Sequence, residues 1–193
     1  KAFLVPTAHD EPYLYFPAYR PIFHMPQGIV YNTQPECVLV NRITQNEQVP
    51  YEIVGVGVNM PPQASAERFR QKFGVAGDFI LYVGRIHEGK NVPELLDFFV
   101  RFHQNEQSDV KLVLLGKSHL DLPDHPAVVP LGFVSEQDKF DALQAATLVV
   151  MPSLYESLSI IALEAWMMET PMLVNGRCEV LKYQCQQSNG GLY

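Results

Sequence analysis

The sequence predicts an α/β protein built on a doubly wound, Rossmann-like parallel sheet, and three observations lead to that prediction. From Phe79 onward, short apolar segments alternate with longer stretches in which apolar residues recur at helical spacing, as in repeated β–α units. Polar and glycine-containing motifs follow several apolar segments, and ligands of such sheets bind at the carboxyl ends of strands. The chain has 193 residues, 47% hydrophobic and 18% charged, which is ordinary for a packed domain.

The same pattern gives the element boundaries in this part of the chain. The first helix is predicted from Pro93 to about Gln104, and the second begins at Ser135 and ends at Ala146. Ser135 and Asp138 have the spacing of a helix start of the capping-box type. A third helix is expected to begin near Glu156 or Ser157. The predicted strands are residues 79–83, 111–115, 128–133, 148–151 and 172–174.

Residues 1–60 form a second block, which we assign to a different domain from residues 61–193. Residues 2–6 and 29–32 are predicted strands, and an aromatic, proline-rich stretch separates them. Two strands are too few to make a stable sheet alone. The chain is therefore expected to hold one nearly complete domain and part of another.

Composition excludes several classes of function. The net charge of −7 argues against a general nucleic-acid binder and against strong electrostatic attachment to a membrane. No apolar run approaches the roughly 18 residues that span a bilayer. The three cysteines lack metal-ligand spacing and cannot all pair, which favours a reduced, cytosolic compartment; they are Cys37, Cys178 and Cys185. The histidines do not cluster, so no metal site is predicted.

Residues 152–165 carry the most specific pattern, a strand end followed by a turn and an apolar helix. Ser157, Leu158 and Ser159 are expected to offer the free N–H groups of a helix N-terminus, where phosphate binds readily. Glu164 stands alone among apolar residues, and burying an unpartnered carboxylate is costly. If Glu156 lies on the same helix, the two glutamates are roughly 12 Å apart along its axis, about the size of a sugar joined to a nucleoside diphosphate.

Arg85 and Lys90 follow the strand at residues 79–83 and flank a glycine-containing loop. Breaking a bond to a nucleoside diphosphate builds negative charge on the leaving phosphate. Two cations and a helix N-terminus could stabilise that charge without a metal. The alternative is that both residues are solvated surface cations.

These motifs resemble, in order and spacing, those of family-4 retaining glycosyltransferases of the GT-B fold (glycosyl transferases group 1). Glu156 and Glu164 form Glu-x7-Glu, and residues 82–91 resemble the family's Gly-Arg-x4-Lys loop. Residues 131–134 resemble the segment that faces the nucleotide base, and residues 55–59 match the Gly-Val-Asp of the crossover between domains. A lone Glu-x7-Glu would be weak, whereas the ordered set is specific.

The resemblance implies a role for each candidate residue. Gly84, Arg85 and Lys90 would hold the diphosphate, Glu156 the hydroxyls of the donor sugar, and Glu164 the ribose hydroxyls. His9 resembles a cleft histidine near the donor sugar, which it would position rather than act as an obligatory base. The candidate catalytic residues are His9, Arg85, Lys90 and Glu156, and the candidate donor-binding residues are Gly84, Arg85, Lys90, Phe133, Glu156, Ser157, Leu158, Ser159 and Glu164.

Other interpretations stay open for several of these residues. Glu156 could simply complement a helix dipole, and Leu131, Phe133 and Val134 could be the edge of a core strand. Glu179 matches an acidic residue that often follows the family's next strand, but we expect it to order the loop.

The implied function is transfer of a hexose, with retention of configuration, from a UDP- or GDP-linked donor. The acceptor would be a sugar, glycolipid or other glycan in polysaccharide or glycoconjugate biosynthesis, and no cofactor is expected. The chain is expected to lack roughly the first half of an intact enzyme and to be inactive alone. It is expected in the cytoplasm, with contact at the inner face of the membrane made through the missing half.

Two other classes of function remain as alternatives. A sugar-nucleotide-binding module without turnover would carry the same motifs. A dinucleotide-dependent oxidoreductase is disfavoured, because no Gly-x-Gly-x-x-Gly follows a strand.

Overall fold

Two parallel sheets organise the chain. The structure is a computed structural model that describes residues 2–46, 48–59 and 63–193. The smaller sheet has the order β1-β2-β3 and the larger one β6-β5-β4-β7-β8-β9, and the strands pair in parallel throughout. The strands are β1 (Phe3–Leu4), β2 (Gly28–Tyr31), β3 (Tyr51–Ile53), β4 (Phe79–Val83), β5 (Lys111–Leu115), β6 (Val128–Gly132), β7 (Leu148–Met151), β8 (Met172–Val174) and β9 (Gly191–Leu192).

Helices lie in the crossover connections between most of these strands, and residues 116–127 join β5 to β6 without a helix. Short 3-10 turns at Pro12–Tyr15, Pro17–Tyr19 and Glu88–Lys90 complete the connections. None of the described helices is both long enough and apolar enough to cross a bilayer. The helices are α1 (Arg20–His24), α2 (Gln34–Thr44), α3 (Ala66–Phe73), α4 (Val92–Glu106), α5 (Glu136–Ala145), α6 (Ile160–Met167) and α7 (Glu179–Ser188).

The larger sheet is covered on both faces, which makes it doubly wound. Leu81 of β4 packs in a core cluster with residues of α3, α5, α6 and α7, whereas its neighbour Tyr82 packs with residues of α4. Successive side chains of a strand point to opposite faces, so each strand contributes to both layers. Counted from β4, the strand order reads 3-2-1-4-5-6, the order of dinucleotide-binding Rossmann sheets.

Most predicted element boundaries agree with the structure. The strands at residues 79–83, 111–115, 148–151 and 172–174 are confirmed, and the strand at 128–133 ends one residue earlier. The helix start at Ser135 is confirmed as well, because the Ser135 side chain accepts a hydrogen bond from the Asp138 N–H. The domain boundary placed after residue 60 falls among residues 60–62, outside the described residues, and stays a prediction.

The N-terminal block holds more structure than the sequence pattern indicated. The strand predicted at residues 2–6 shortens to Phe3–Leu4, and α2 and β3 were not foreseen. Thr33 caps α2 by accepting a hydrogen bond from the Glu36 N–H. With β3 present, three parallel strands form a small sheet whose core includes Ile29, Tyr31 and Val40.

A buried carboxylate fastens α3 to α5. Asp141 is fully buried and accepts hydrogen bonds from Nε and Nη2 of Arg68, both at 2.6 Å, and from the Ser65 N–H at 2.8 Å. Gln137 donates to the same carboxylate at 3.0 Å. Burial alone would raise the pKa of Asp141, but these donors outweigh it and hold that pKa below the usual range.

The pH dependence of folding tests this interaction. Because its folded pKa is lowered, Asp141 contributes stability above the ordinary Asp pKa of about 3.9, and that contribution is lost as pH falls through the folded pKa. We expect Asp141→Asn to lower the free energy of unfolding at pH 7 by about 1–3 kcal/mol, since donors to a buried group lose their acceptor. The difference between the variant and the natural protein should narrow in acid, as measured by urea unfolding.

The matched control for this test is Asp97→Asn. Asp97 pairs with Arg101 one turn away on the exposed face of α4. Exposed pairs of this kind contribute little, so the change should stay below about 0.5 kcal/mol. Equal losses in the two variants would contradict the role assigned to Asp141.

Candidate functional site

The candidate site lies at the carboxyl ends of β4 and β7, neighbouring strands between which the strand order reverses. The chain leaves β4 through Gly84 and Arg85, and it leaves β7 through Pro152 and Ser153. At such a reversal the two following connections run to opposite faces of the sheet and leave a crevice between them. The arrangement places the Gly-Arg motif and the Glu-x7-Glu motif on the two sides of one crevice.

A single carbonyl oxygen joins three of the loops around this crevice. The side-chain amides of Asn91 and Asn175 both donate to the Pro152 oxygen, at 3.2 and 3.0 Å. These three residues follow β4, β8 and β7, respectively. The loops are therefore fixed relative to one another by hydrogen bonds rather than by apolar packing alone.

The Gly-Arg loop is held closely against the end of β5. The Gly84 N–H donates to the Leu115 oxygen at 2.9 Å, and the Tyr82 hydroxyl donates to the Arg85 oxygen at 2.7 Å. Gly116 has φ +135°, and a Cβ built on it would overlap the Gly84 carbonyl oxygen. Arg85 itself is exposed, and its backbone is anchored by the hydrogen bond from Tyr82.

Lys90 and Glu156, from opposite sides of the crevice, form an ion pair. The Lys90 Nζ lies 2.6 Å from the Glu156 Oε1, and the two side chains are 25% and 13% exposed. Neither is a freely solvated surface charge, which was the alternative interpretation of Lys90. A cation held beside a carboxylate can face an anionic group of a ligand while the carboxylate accepts from hydroxyls.

The predicted helix start near Glu156 is wrong. The helix α6 begins at Ile160, and Ser159 caps it by accepting a hydrogen bond from the Ala162 N–H at 3.2 Å. Gln184 of α7 binds both backbone groups of Ser159, and the Ser157 oxygen accepts from the Thr33 hydroxyl at 3.1 Å. The backbone groups that an earlier helical turn would use are thus bound by other elements.

This correction changes what the segment offers a ligand. The Ser159 N–H is engaged by Gln184, so it is not a free helix-terminal donor. The N–H groups of Ser157 and Leu158 bind no acceptor within the described part of the chain. Glu156 lies in the loop and only Glu164 lies on α6, so the estimate of about 12 Å along one helix does not apply.

Glu164 is buried and has a cationic partner that sequence reasoning missed. Its Oε1 lies 2.8 Å from the Lys139 Nζ, and the residue is 7% exposed. Its Oε2 is buried and has no hydrogen-bond partner among the described residues. One oxygen of the carboxylate is therefore paired with a cation, and the other has no donor among the described residues.

His87 is a further residue of the crevice that the sequence did not single out. Its Nδ1 accepts a hydrogen bond from the Gly89 N–H at 3.0 Å, which places the proton of a neutral ring on Nε2. Burial, together with the charges of Arg85 and Lys90, lowers the pKa of His87. The ring is therefore neutral at pH 7 and adds no charge to the loop.

Phe133 and its neighbours differ sharply in exposure. Phe133 is 90% exposed just beyond the carboxyl end of β6, whereas Leu131 and Val134 are partly buried against the core. Of these three residues, Phe133 is the one whose side chain is exposed and available to a ligand.

A cavity of about 350 Å³ brings His9 and Glu156 together. One wall comes from α2 and the loop that carries His9, and the other from residues 154–156 and the start of α7. Glu179, predicted to order a loop, lies in the first turn of α7 and lines this cavity. Residues of the cavity that sequence reasoning missed are Gln34, Arg42, Tyr155 and Arg177.

The loop that carries His9 is held by a buried carboxylate. Glu36 is fully buried and accepts hydrogen bonds from the Ala8 N–H at 2.6 Å and the Asn32 N–H at 2.7 Å. Burial raises the pKa of Glu36, against the opposing effect of these N–H groups. Thr7, with φ +48°, adopts a left-handed conformation rare for a β-branched residue. The position of His9 is thus specified by residues beyond its own loop.

The described residues contain no group of three histidines, cysteines or acidic side chains arranged to hold a metal ion.

Residues 77–190 match the model of the family described as Glycosyl transferases group 1. The chain belongs to this family. The match covers β4 to β8 of the larger sheet and both motifs of the crevice. The resemblance to glycosyl transferases group 1 is confirmed, whereas the family-4 retaining subclass stays a prediction.

Two curated relatives support the assignment. The chain is 32% identical over 130 residues to an uncharacterized glycosyltransferase of Methanocaldococcus jannaschii, and 30% identical over 127 residues to mannosylfructose-phosphate synthase of Agrobacterium fabrum. These alignments cover 60% and 58% of this chain but 33% and 28% of the relatives. The aligned part thus spans about a third of the length of these proteins.

Solved structures of glycosyltransferases have the same fold, which is of the GT-B type. Anabaena HepE in complex with UDP and glucose matches 93% of this chain and 54% of its own, with a TM-score of 0.74 and 15% identity. Sucrose-phosphate synthase from Thermosynechococcus elongatus matches 90% of this chain and 46% of its own, with a TM-score of 0.72 and 18% identity. At these identities the likeness establishes the fold.

The close approach of Gly116 to Gly84 gives a direct test of the crevice geometry. We expect Gly116→Ala to force the Gly-Arg loop away from β5, because the added Cβ would overlap the Gly84 oxygen. The variant should lose about 2–3 kcal/mol of unfolding free energy through strain and displacement. Nucleotide binding, measured by calorimetry, should weaken at least tenfold.

The control is Gly77→Ala. Gly77 also has positive φ, +77°, but an added Cβ there meets nothing within 4 Å. It should cost about 1 kcal/mol through backbone conformation alone and leave nucleotide affinity unchanged. If both variants bind nucleotide normally, the Gly-Arg loop is not part of the binding site.

Proposed function

We propose that this member of the family transfers a hexose from a nucleoside-diphosphate donor to an acceptor hydroxyl with retention of anomeric configuration. The observation that carries the proposal is the ion pair of Lys90 with Glu156 at the crevice where the strand order reverses, with the exposed Arg85 in the same loop as Lys90. One cation meets a carboxylate there, a second cation follows the same strand, and the backbone N–H groups of Ser157 and Leu158 bind no acceptor in the described part of the chain. This set of groups suits a ligand with an anionic diphosphate joined to a polyhydroxylated sugar.

Each residue has a definite task in this proposal. Arg85, Lys90 and the N–H groups of Ser157 and Leu158 bind the diphosphate and stabilise the charge that develops on it as the sugar leaves. Glu156 accepts hydrogen bonds from the sugar hydroxyls. The exposed ring of Phe133 packs against the base, and Glu164 binds the ribose through its free Oε2.

Retention follows if the leaving phosphate and the acceptor occupy the same face of the sugar. The bond between the anomeric carbon and the phosphate oxygen breaks, and the acceptor oxygen forms its bond to that carbon on the same face. The acceptor proton passes to the departing phosphate, so no separate base is required. His9 lines the same cavity as Glu156 and would position the sugar.

UDP or GDP is the proposed leaving nucleotide, and the acceptor is a sugar, glycolipid or other glycan. The mannosylfructose-phosphate synthase and sucrose-phosphate synthase names of two matched proteins are consistent with glycosyl transfer. Polysaccharide or glycoconjugate synthesis in the cytoplasm, at the inner face of the membrane for a lipid-linked acceptor, is the proposed setting.

Calorimetric titration of UDP, GDP and ADP into this chain tests the donor site. One nucleotide should bind, and Arg85→Ala and Glu164→Ala should each weaken it tenfold or more, because hydrogen bonds involving charged groups are lost. The controls are Arg101→Ala on α4 and Glu136→Ala, an exposed carboxylate that also pairs with Lys139. Both controls should bind as the natural chain does.

Unchanged affinity in Glu164→Ala would contradict the donor-site assignment. Turnover is tested in the full-length protein by following the anomeric proton of the transferred sugar by NMR. Binding without transfer or donor hydrolysis would instead favour a sugar-nucleotide-binding module.

A further inference from the structure

Lys139 lies on α5 between two carboxylates of very different exposure. Its Nζ is 2.9 Å from the Glu136 Oε2 and 2.8 Å from the Glu164 Oε1. The side chains of Lys139, Glu164 and Glu136 are 13%, 9% and 76% exposed, respectively. Glu164 is therefore the partner that shares its buried environment.

Burying an ammonium group in this way is costly, and the pair with Glu136 does little to offset it. Pairs with an exposed carboxylate contribute little, whereas a charge removed from water needs a partner close by. The interaction that keeps Lys139 in place is thus the one with Glu164. It joins α5 to α6 across 25 residues of sequence.

The pairing is incomplete on the carboxylate side. Lys139 occupies Oε1 of Glu164, while Oε2 is buried and has no partner among the described residues. A purely structural ion pair would be expected to satisfy both oxygens, as Asp141 does with its four donors. One acceptor of this buried carboxylate is therefore left without a donor among the described residues.

We propose that Lys139 is a positioning residue for Glu164, and that it thereby sets the preference of the site for ribonucleotides over deoxyribonucleotides. By holding Oε1, Lys139 fixes the plane of the carboxylate and directs Oε2 toward a ribose hydroxyl. This inference rests on the proposed role of Glu164 in donor binding. It adds a residue that carries specificity without touching the ligand.

The test measures the affinity of the chain for the nucleoside diphosphate that it binds and for the 2′-deoxy and 3′-deoxy forms of that nucleotide. The affinity for the ribonucleotide is divided by the affinity for each deoxy form. The larger of the two ratios is called the ribose preference. In the natural chain we expect a preference of about tenfold or more, the effect of one hydrogen bond to a charged acceptor. In Lys139→Met it should fall to within about twofold. Lys139→Arg, which can still donate to Oε1, should retain most of it.

Lys72→Met is the matched control. Lys72 also reaches α5, where its Nζ lies 2.7 and 2.8 Å from the two oxygens of Asp138, the residue before Lys139. Its loss removes a lysine–carboxylate pair from the same helix without touching Glu164. A general loosening of α5 would lower the ribose preference in both variants, whereas positioning of Glu164 lowers it only in Lys139→Met.

The outcomes separate this inference from the proposed function. If the natural chain binds the ribo and deoxy forms equally, the ribose role of Glu164 fails and the inference fails with it. If the preference is present, is lost in Glu164→Ala and is kept in Lys139→Met, only the inference is overturned. Should Lys139→Met not fold, Lys139→Gln is used instead, and a preference reduced less than threefold there overturns the inference.

Discussion

The reversal of strand order between β4 and β7 is the constraint on which the rest of the site depends. The connections that follow these two parallel strands run to opposite faces of the sheet. The backbone N–H and C=O groups at the strand ends must therefore find hydrogen-bond partners outside the sheet. The Pro152 oxygen accepts hydrogen bonds from the side-chain amides of Asn91 and Asn175, which lie in two neighbouring loops. Because the loops share an acceptor, Lys90 and Glu156 reach each other at 2.6 Å across the crevice. The ion pair follows from the topology of the sheet.

Three buried carboxylates show that the hydrogen-bond donors around a carboxylate distinguish a structural role from a ligand-binding role. Asp141 has four donors and a lowered pKa, as expected of a group that fastens two helices. Glu36 has backbone donors and no cation among its hydrogen-bond partners, so burial keeps its pKa raised, and what it fixes is the loop of His9. Glu164 has a cation on one oxygen and nothing described on the other. Unmet hydrogen-bonding capacity is tolerated where a ligand can supply the missing donor.

Much of the larger sheet could be predicted from the sequence because its signals are local. Apolar runs bounded by polar residues gave the strands, and Ser135 with Asp138 gave a helix start. The start of α6 could not be predicted, since it depends on Gln184, which lies 25 residues from Ser159. The partner of Glu164, Lys139, and one partner of Glu36, Ala8, are similarly distant at 25 and 28 residues. The helix α2 did carry a readable signal, however, because Thr33 and Glu36 have capping-box spacing.

Different interactions hold the two walls of the cavity in place. His9 is fixed by Glu36 within the N-terminal block, and Glu156 is fixed by Lys90 within the larger sheet. The hydrogen bond from the Thr33 hydroxyl to the Ser157 oxygen links the cap of α2 to the loop beside Glu156. In the proposed function, the groups that bind the diphosphate therefore lie on the side of the larger sheet, and the histidine assigned to the sugar lies on the other wall. In a ligand that spans both walls, the sugar is the part that contacts His9. Discrimination between sugars is therefore expected to depend on the N-terminal wall. Affinity for the nucleotide is expected to depend on the larger sheet.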